Sequence, residues 1–197
     1  MKVALYSQLK EIQDSEIRNF VKEGLDHAPE GFWHIACSGT GRYHPPENQG
    51  DAGLIRHLCK CIVTSKDLCR YFGLSQYDTD VVLAGTILHD IKKNGEPWGV
   101  STHMEHGLTG SKFLEQFNLR EPAKTEIMNC VRYHMGRFTG TKSDIERASN
   151  PTQKELIVQM TDLFCSRKYA SWLPEINVKD EDIQNFLKRF QTDLNSF

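Results

Sequence analysis

Apolar positions along this chain recur mostly at helical spacing. Residues 3–12 read as a weak first helix. Ile17, Phe20, Val21 and Leu25 then share one face of a second helix that Asp14 or Ser15 caps and Pro29-Glu30-Gly31 ends. Leu54, Leu58, Ile62 and Cys69 form a stripe running from Leu54 to about Phe72, with Gly73 as the stop. Thr79 or Asp80 opens the next helix, which is apolar from Val81 to Leu88, carries His89-Asp90 near its end and is broken by Gly95 and Pro97. Thr102-x-x-Glu105 has the form of a capping box and starts a helix through Phe117. Pro122, at a first helical position, opens another with Ile127, Cys130, Val131 and His134 on one face. Pro151 opens a helix carrying Leu156, Ile157, Met160, Leu163 and Phe164. Asp180 caps a last amphipathic helix through Ile183, Phe186, Leu187, Phe190 and Leu194. Between residues 34 and 53, Gly39, Gly41, Pro45, Pro46, Gly50 and Gly53 exclude a helix, and loops of this length are often functional. The pattern predicts an all-α bundle forming a single domain over residues 1–197.

Composition narrows the picture only slightly. A net charge of −2 gives no electrostatic case for non-specific nucleic-acid binding. The six cysteines, at 37, 59, 61, 69, 130 and 165, form no C-x-x-C pair, and several sit inside helical patterns. They read as reduced core cysteines of a cytoplasmic protein, and the spacing argues against a structural zinc on Cys59 and Cys61. No apolar run is long enough to span a bilayer, and the first residues lead into charged ones without a secretory apolar region.

Candidate chemistry centres on His89-Asp90. A charged Asp beside a buried run costs free energy unless it is paired or coordinates a cation. His57, His106, His134 and Asp162 come from other predicted helices, and bundles build metal sites from inward side chains on facing helices. Imidazole with carboxylate suits zinc, iron, manganese or nickel better than calcium. Each residue has a plainer reading. A lone His is usually a surface or satisfied core residue, and Asp162 is equally readable as a buried acid paired with an Arg or Lys. His103 reads as a surface residue, and His27 and His34 have no ligand-like context. The joint order of His, His-Asp, His, His and Asp lifts the set above these readings.

That order, on Gly53-Leu54-Ile55-Arg56-His57, Ala84-Gly85-Thr86-Ile87-Leu88-His89-Asp90-Ile91-Lys92-Lys93, His106-Gly107, His134 and Asp162, resembles the HD-domain metal-dependent phosphohydrolase superfamily. The segment from Phe32-Trp33 through Tyr43-His44-Pro45-Pro46 is similar to the lead-in of HD domains in bacterial 3′–5′ exoribonucleases and their phage relatives. The resemblance implies a single HD-domain helical bundle with a core over about residues 53–165 and helical extensions on either side. It implies His57, His89, Asp90 and Asp162 as a one-metal set. His106 and His134 extend that set to two divalent ions (manganese, iron, nickel, cobalt or zinc) bridged by Asp90. It also implies a catalytic part for Asp90 and a phosphate-facing one for Lys93, whose alternative is a solvated charge complementing a helix end. Lys92 stands where a Gly is common in the family, and Leu58 where a Thr is.

Activity then follows as an expectation: a phosphatase or phosphodiesterase whose water is activated between two metals, acting on a small nucleotide or short oligonucleotide. Two readings stand for the loop from His34 to Asn48. It forms a wall of the pocket, with Ser38, Arg42, Tyr43 and His44 contacting phosphate or sugar, or it is a structural loop packed by Tyr43 and held by its prolines. Arg137 is a second candidate phosphate contact. Two other functions fit the same ligands: a non-catalytic, metal-containing nucleotide sensor, and an HD-type di-iron oxygenase.

Overall fold

The computed structural model describes residues 2–168 except 40 and 43, and all regular structure among them is helical. The helices are α1 (Lys2–Ser7), α2 (Ser15–Asp26), α3 (Gly53–Tyr71), α4 (Gln76–Leu88), α5 (His106–Leu114), α6 (Ala123–Tyr133), α7 (Lys142–Ala148) and α8 (Gln153–Cys165). The helix expected from Asp180 onward, and Tyr43, lie outside the described residues.

Helix α4 is the centre of the bundle. Every residue from Asp80 to Leu88 is buried, as expected for a run that is apolar on all sides. It packs against α2, α3, α6 and α8, while α5 lies on α6 and α3 on α8. Close approach is set by small residues. A Cβ on Gly85 would lie 2.5 Å from that of Cys130 on α6. A Cβ on Gly107 of α5 would lie 2.5 Å from the carbonyl oxygen of Arg132 on α6. Backbone cannot rotate aside, so Gly107→Ala must push α5 off α6. We expect a loss of about 2 kcal/mol or more, the usual scale of overpacking. Thermal melting checks this, and a wild-type Tm would show that the two helices separate freely.

Several local expectations hold. Asp14 caps α2 by accepting from the backbone N–H groups of Glu16 and Ile17, and Gly73 follows α3 with φ 65°. Others need correction. The segment expected as one helix over 3–12 is α1 followed by a 3-10 turn at Gln8–Glu11. Helix α4 starts earlier than Thr79 or Asp80, because the Ser75 side chain accepts from Asp78 N–H and caps it there. Asp80 is instead a buried acceptor for the backbone N–H groups of Gln13 and Asp14, at 3.0 and 2.7 Å, tying the entry of α2 to α4.

The Thr102–Glu105 capping box does not form. His103 N–H donates to the Lys93 carbonyl at 2.8 Å, which holds the segment in a turn. Helix α5 therefore begins at His106 and ends at Leu114, short of Phe117. Pro122 is the residue before the first turn of α6 rather than inside it. Helix α8 opens at Gln153 rather than at Pro151, because Thr152 caps it in a reciprocal pair with Glu155. Leu156, Leu163 and Phe164 on α8 are 37–39 % exposed, while Ile157 and Val158 face the core. Helix α7 was not expected. Thr141 caps it by accepting from Asp144 N–H, a signal hidden among the loop residues around Gly140.

Candidate metal centre

Six side chains from five helices, or from the turns that follow them, converge where α4 ends. His57 projects from α3, His89 and Asp90 follow the last turn of α4, His106 opens α5, His134 follows α6, and Asp162 lies in the last turn of α8. His57, His89, Asp90, His106 and His134 are at most 2 % exposed. The Asp162 side chain is 21 % exposed and marks the face open to solvent.

Asp90 sits between the histidines. Its Oδ1 is 3.0 Å from His106 Nε2 and 3.7 Å from His134 Nε2, and its Oδ2 is 3.4 Å from His89 Nε2. Asp162 Oδ1 is 3.1 Å from His57 Nε2 and 3.7 Å from His89 Nε2. His57, His89 and Asp162 form one group with donor atoms within 4.8 Å of one another, and His89, Asp90 and His134 form another. The alternative for Asp162, a partner Arg or Lys, gives way to His57.

The direction of the imidazoles is fixed by their own turns. His89 Nδ1 lies 2.8 Å from the Thr86 carbonyl, His106 Nδ1 2.6 Å from that of His103, and His134 Nδ1 2.7 Å from that of Val131. A carbonyl only accepts, so each Nδ1 carries a proton, and in the neutral ring Nε2 presents a lone pair. Burial and the neighbouring His89 and His106 push His134 down to about 3, so its ring is neutral at pH 7. Burial also pulls His89 down, but the charges of Asp90 and Asp162 outweigh this and raise it. Burial opposes ionisation of Asp90, yet Lys93, His89 and His106 hold it well below the carboxylate range.

The Nε2 atoms therefore face one another. His106 Nε2 and His134 Nε2 are 3.0 Å apart, and both point at the Asp90 carboxylate. Asp90 Oδ1 and His89 Nε2 are buried and meet hydrogen-bond geometry with no protein group. Buried acceptors without donors are costly. Divalent cations satisfy all of them at once, and histidines held through Nδ1 to a carbonyl are the usual arrangement of metal-ligating imidazoles. The donor set thus fits d-block cations.

Lys93 is not a solvated charge at a helix end. It lies five residues beyond α4, its side chain is 9 % exposed, and its Nζ donates to Asp90 Oδ2 at 2.6 Å. Lys92 pairs with Glu96 and lies over the Phe113 ring, 4.4 Å from its centroid. From the loop, the His44 ring packs against that of His57 with centroids 5.1 Å apart. Ser38 is half-buried and Arg42 exposed in the same loop. Arg137 is exposed and stacks over its neighbour Phe138, and Arg132 is committed to Asp144. His103 is exposed, as expected.

Sequence reasoning missed two thiols. Cys61 Sγ lies 3.4 Å from His57 Nε2, and Cys37 groups with His44 and His57. The four-residue spacing of His57 and Cys61 on one helix was the available signal for the first. Cys59, one face away, joins no candidate ligand group among the described residues.

No helix among the described residues is long and apolar enough to cross a membrane. Searches of curated proteins and of solved structures return no significant match to the chain. A family model, that of the HD domain, matches residues 54–166, which span the convergent residues from His57 to Asp162 and more than half of the sequence. The all-α bundle described above, with its His/Asp centre, belongs to the HD-domain family.

Proposed function

We propose that the chain is a metal-dependent phosphohydrolase acting on a phosphoester or phosphoanhydride bond of a nucleotide or short oligonucleotide. The observation that carries this reading is the convergence of His89, His106 and His134 Nε2 on the buried Asp90 carboxylate, with Lys93 paired to the same carboxylate and Asp162 beside His57 and His89. His57, His89, Asp90 and Asp162 would hold one divalent ion, and Asp90, His106 and His134 a second. Bound ions of the manganese, iron, nickel, cobalt or zinc class supply Lewis acidity and a water of lowered pKa.

The chain's own residues do the rest. Burial excludes bulk water from His106 and His134, which strengthens electrostatic interactions there. The exposed side of Asp162 leaves one approach for substrate. Lys93, held against Asp90, puts a fixed positive charge beside the point where phosphoryl oxygens gather negative charge. His44 stands at the loop wall beside His57, and Ser38, Arg42 and Arg137 are proposed as outer substrate contacts.

The test joins metal analysis of the purified chain to a phosphate-release screen. Nucleoside mono-, di- and triphosphates, cyclic nucleotides, dinucleoside polyphosphates and short RNA are offered with manganese, nickel or iron(II). We expect two metals per chain and release from at least one nucleotide class. One metal per chain overturns the dinuclear assignment. No release from any substrate overturns the enzyme, and oxygen consumption with a di-iron spectrum replaces it with an oxygenase.

A narrower prediction concerns Lys93→Met. Turnover should fall about 100-fold, the scale of losing one preorganised charge contact, with metal content unchanged. Breaking the buried pair should also destabilise the metal-free chain by about 3 kcal/mol, and added metal should restore most of that. Loss of bound metal in this variant would mark Lys93 as a structural support instead.

A further inference from the structure

Beside the His/Asp centre the loop brings a second kind of donor to the same wall. Cys37 is 1 % exposed, and its position is pinned by its N–H donating to the Asn48 carbonyl at 2.9 Å. Its Sγ lies 3.7 Å from His44 Nε2. Donor atoms of Cys37, His44 and His57 all lie within 4.8 Å of one another. Nε2 is the His44 nitrogen that faces the thiol, and Nδ1, on the other side of the ring, is buried with no hydrogen-bond partner.

The spacing can be judged against coordination geometry. A tetrahedral zinc, with Zn–S about 2.3 Å and Zn–N about 2.0–2.1 Å, sets its sulfur and nitrogen ligands about 3.5 Å apart. The observed 3.7 Å needs almost no adjustment. Cys61 Sγ lies 3.4 Å from His57 Nε2 but is not a member of that group. Sulfur ligands select borderline-soft ions and disfavour manganese and magnesium.

We propose that Cys37, His44 and His57 form a thiolate-containing cation site, distinct from the His/Asp centre, that takes zinc or cobalt(II). On binding, the Cys37 S–H bond breaks, its electron pair forms the sulfur–metal bond, and the proton leaves to solvent. No oxidant or reductant is involved. His57 belongs to both groups, so a cation on the thiolate side draws on an imidazole that the His/Asp side also uses. That sharing rests on the His/Asp reading above; the thiolate site itself does not.

The test uses the chain stripped of metal by a chelator and kept reduced with a phosphine, then titrated with cobalt(II). Wild type should show a thiolate-to-cobalt charge-transfer band in the near ultraviolet. Cys37→Ser should lose it, while Cys61→Ser and Asp90→Asn should keep it. His44→Gln, which retains the thiol, should weaken the cobalt affinity read at that band at least tenfold, and it decides the matter if Cys37→Ser fails to fold. Absence of the band in wild type at saturating cobalt overturns the proposal. So does a band that survives Cys37→Ser, or one lost in Asp90→Asn, which would assign the sulfur-bound ion to the His/Asp centre. If Asp90→Asn leaves the total cobalt bound unchanged, the His/Asp reading fails while the thiolate site stands.

Discussion

Asp90→Asn should leave less than a tenth of the wild-type metal at the His/Asp centre and lower phosphate release by about 1,000-fold, near the upper end for removing one preorganised electrostatic contact. Asp90 is the carboxylate that four charged or ligand-capable neighbours share: His89, Lys93, His106 and His134. An amide has nearly the same shape but no charge. Its NH₂ can donate to His106 Nε2, satisfying the lone pair that otherwise awaits a cation, so the substitution stabilises the empty arrangement against the loaded one. It also strips Lys93 of its counter-charge. Metal analysis and a phosphate-release assay check both effects. Retention of two ions by Asp90→Asn would remove Asp90 from the bridging position.

Chelation should lower the melting temperature by about 10 °C. A ligand that binds only the folded state, present at about 1,000 times its Kd, stabilises by about 4 kcal/mol. For a chain of this size each kcal/mol moves Tm by about 2–4 °C. The residues concerned come from five separate helices, α3, α4, α5, α6 and α8, or from the turns that follow them, so an ion there ties most of the bundle together. Scanning calorimetry with and without chelator reads the shift directly. Identical melts would mean that the facing lone pairs are satisfied some other way. Gly107→Ala should shrink the same shift, because moving α5 off α6 also moves His106 away from His134.

Much of this arrangement is legible in the sequence. The apolar run ending in His89-Asp90 required a buried carboxylate with a strong partner, and the helical pattern assigned the remaining His and Asp residues to separate elements. Helix boundaries were less legible, because tertiary bonds decide them. Asp80 reads as a helix cap in isolation, but it is drawn to Gln13 and Asp14 on another segment. Thr102 and Glu105 have the right spacing for a cap, yet the tie between His103 and Lys93 competes and wins. The thiols beside His57 were hidden for a different reason. Cysteine is a common core residue, and only the fold of an irregular loop decides that Cys37 reaches the same wall as His44.

His89, His106 and His134 each take their aim from a carbonyl three residues earlier in their own chain segment. Orientation is thus written into four-residue stretches, whereas separation is written into helix packing. Changes in the surrounding bundle can alter how far apart these rings stand without turning any of them away. His57 is held differently, by Asp162 from α8 and flanked by the Cys61 thiol, so its heading depends on long-range partners. Under evolutionary drift or engineered repacking, three of the four imidazoles would travel as ready-made modules, and His57 would be the first to lose its bearing.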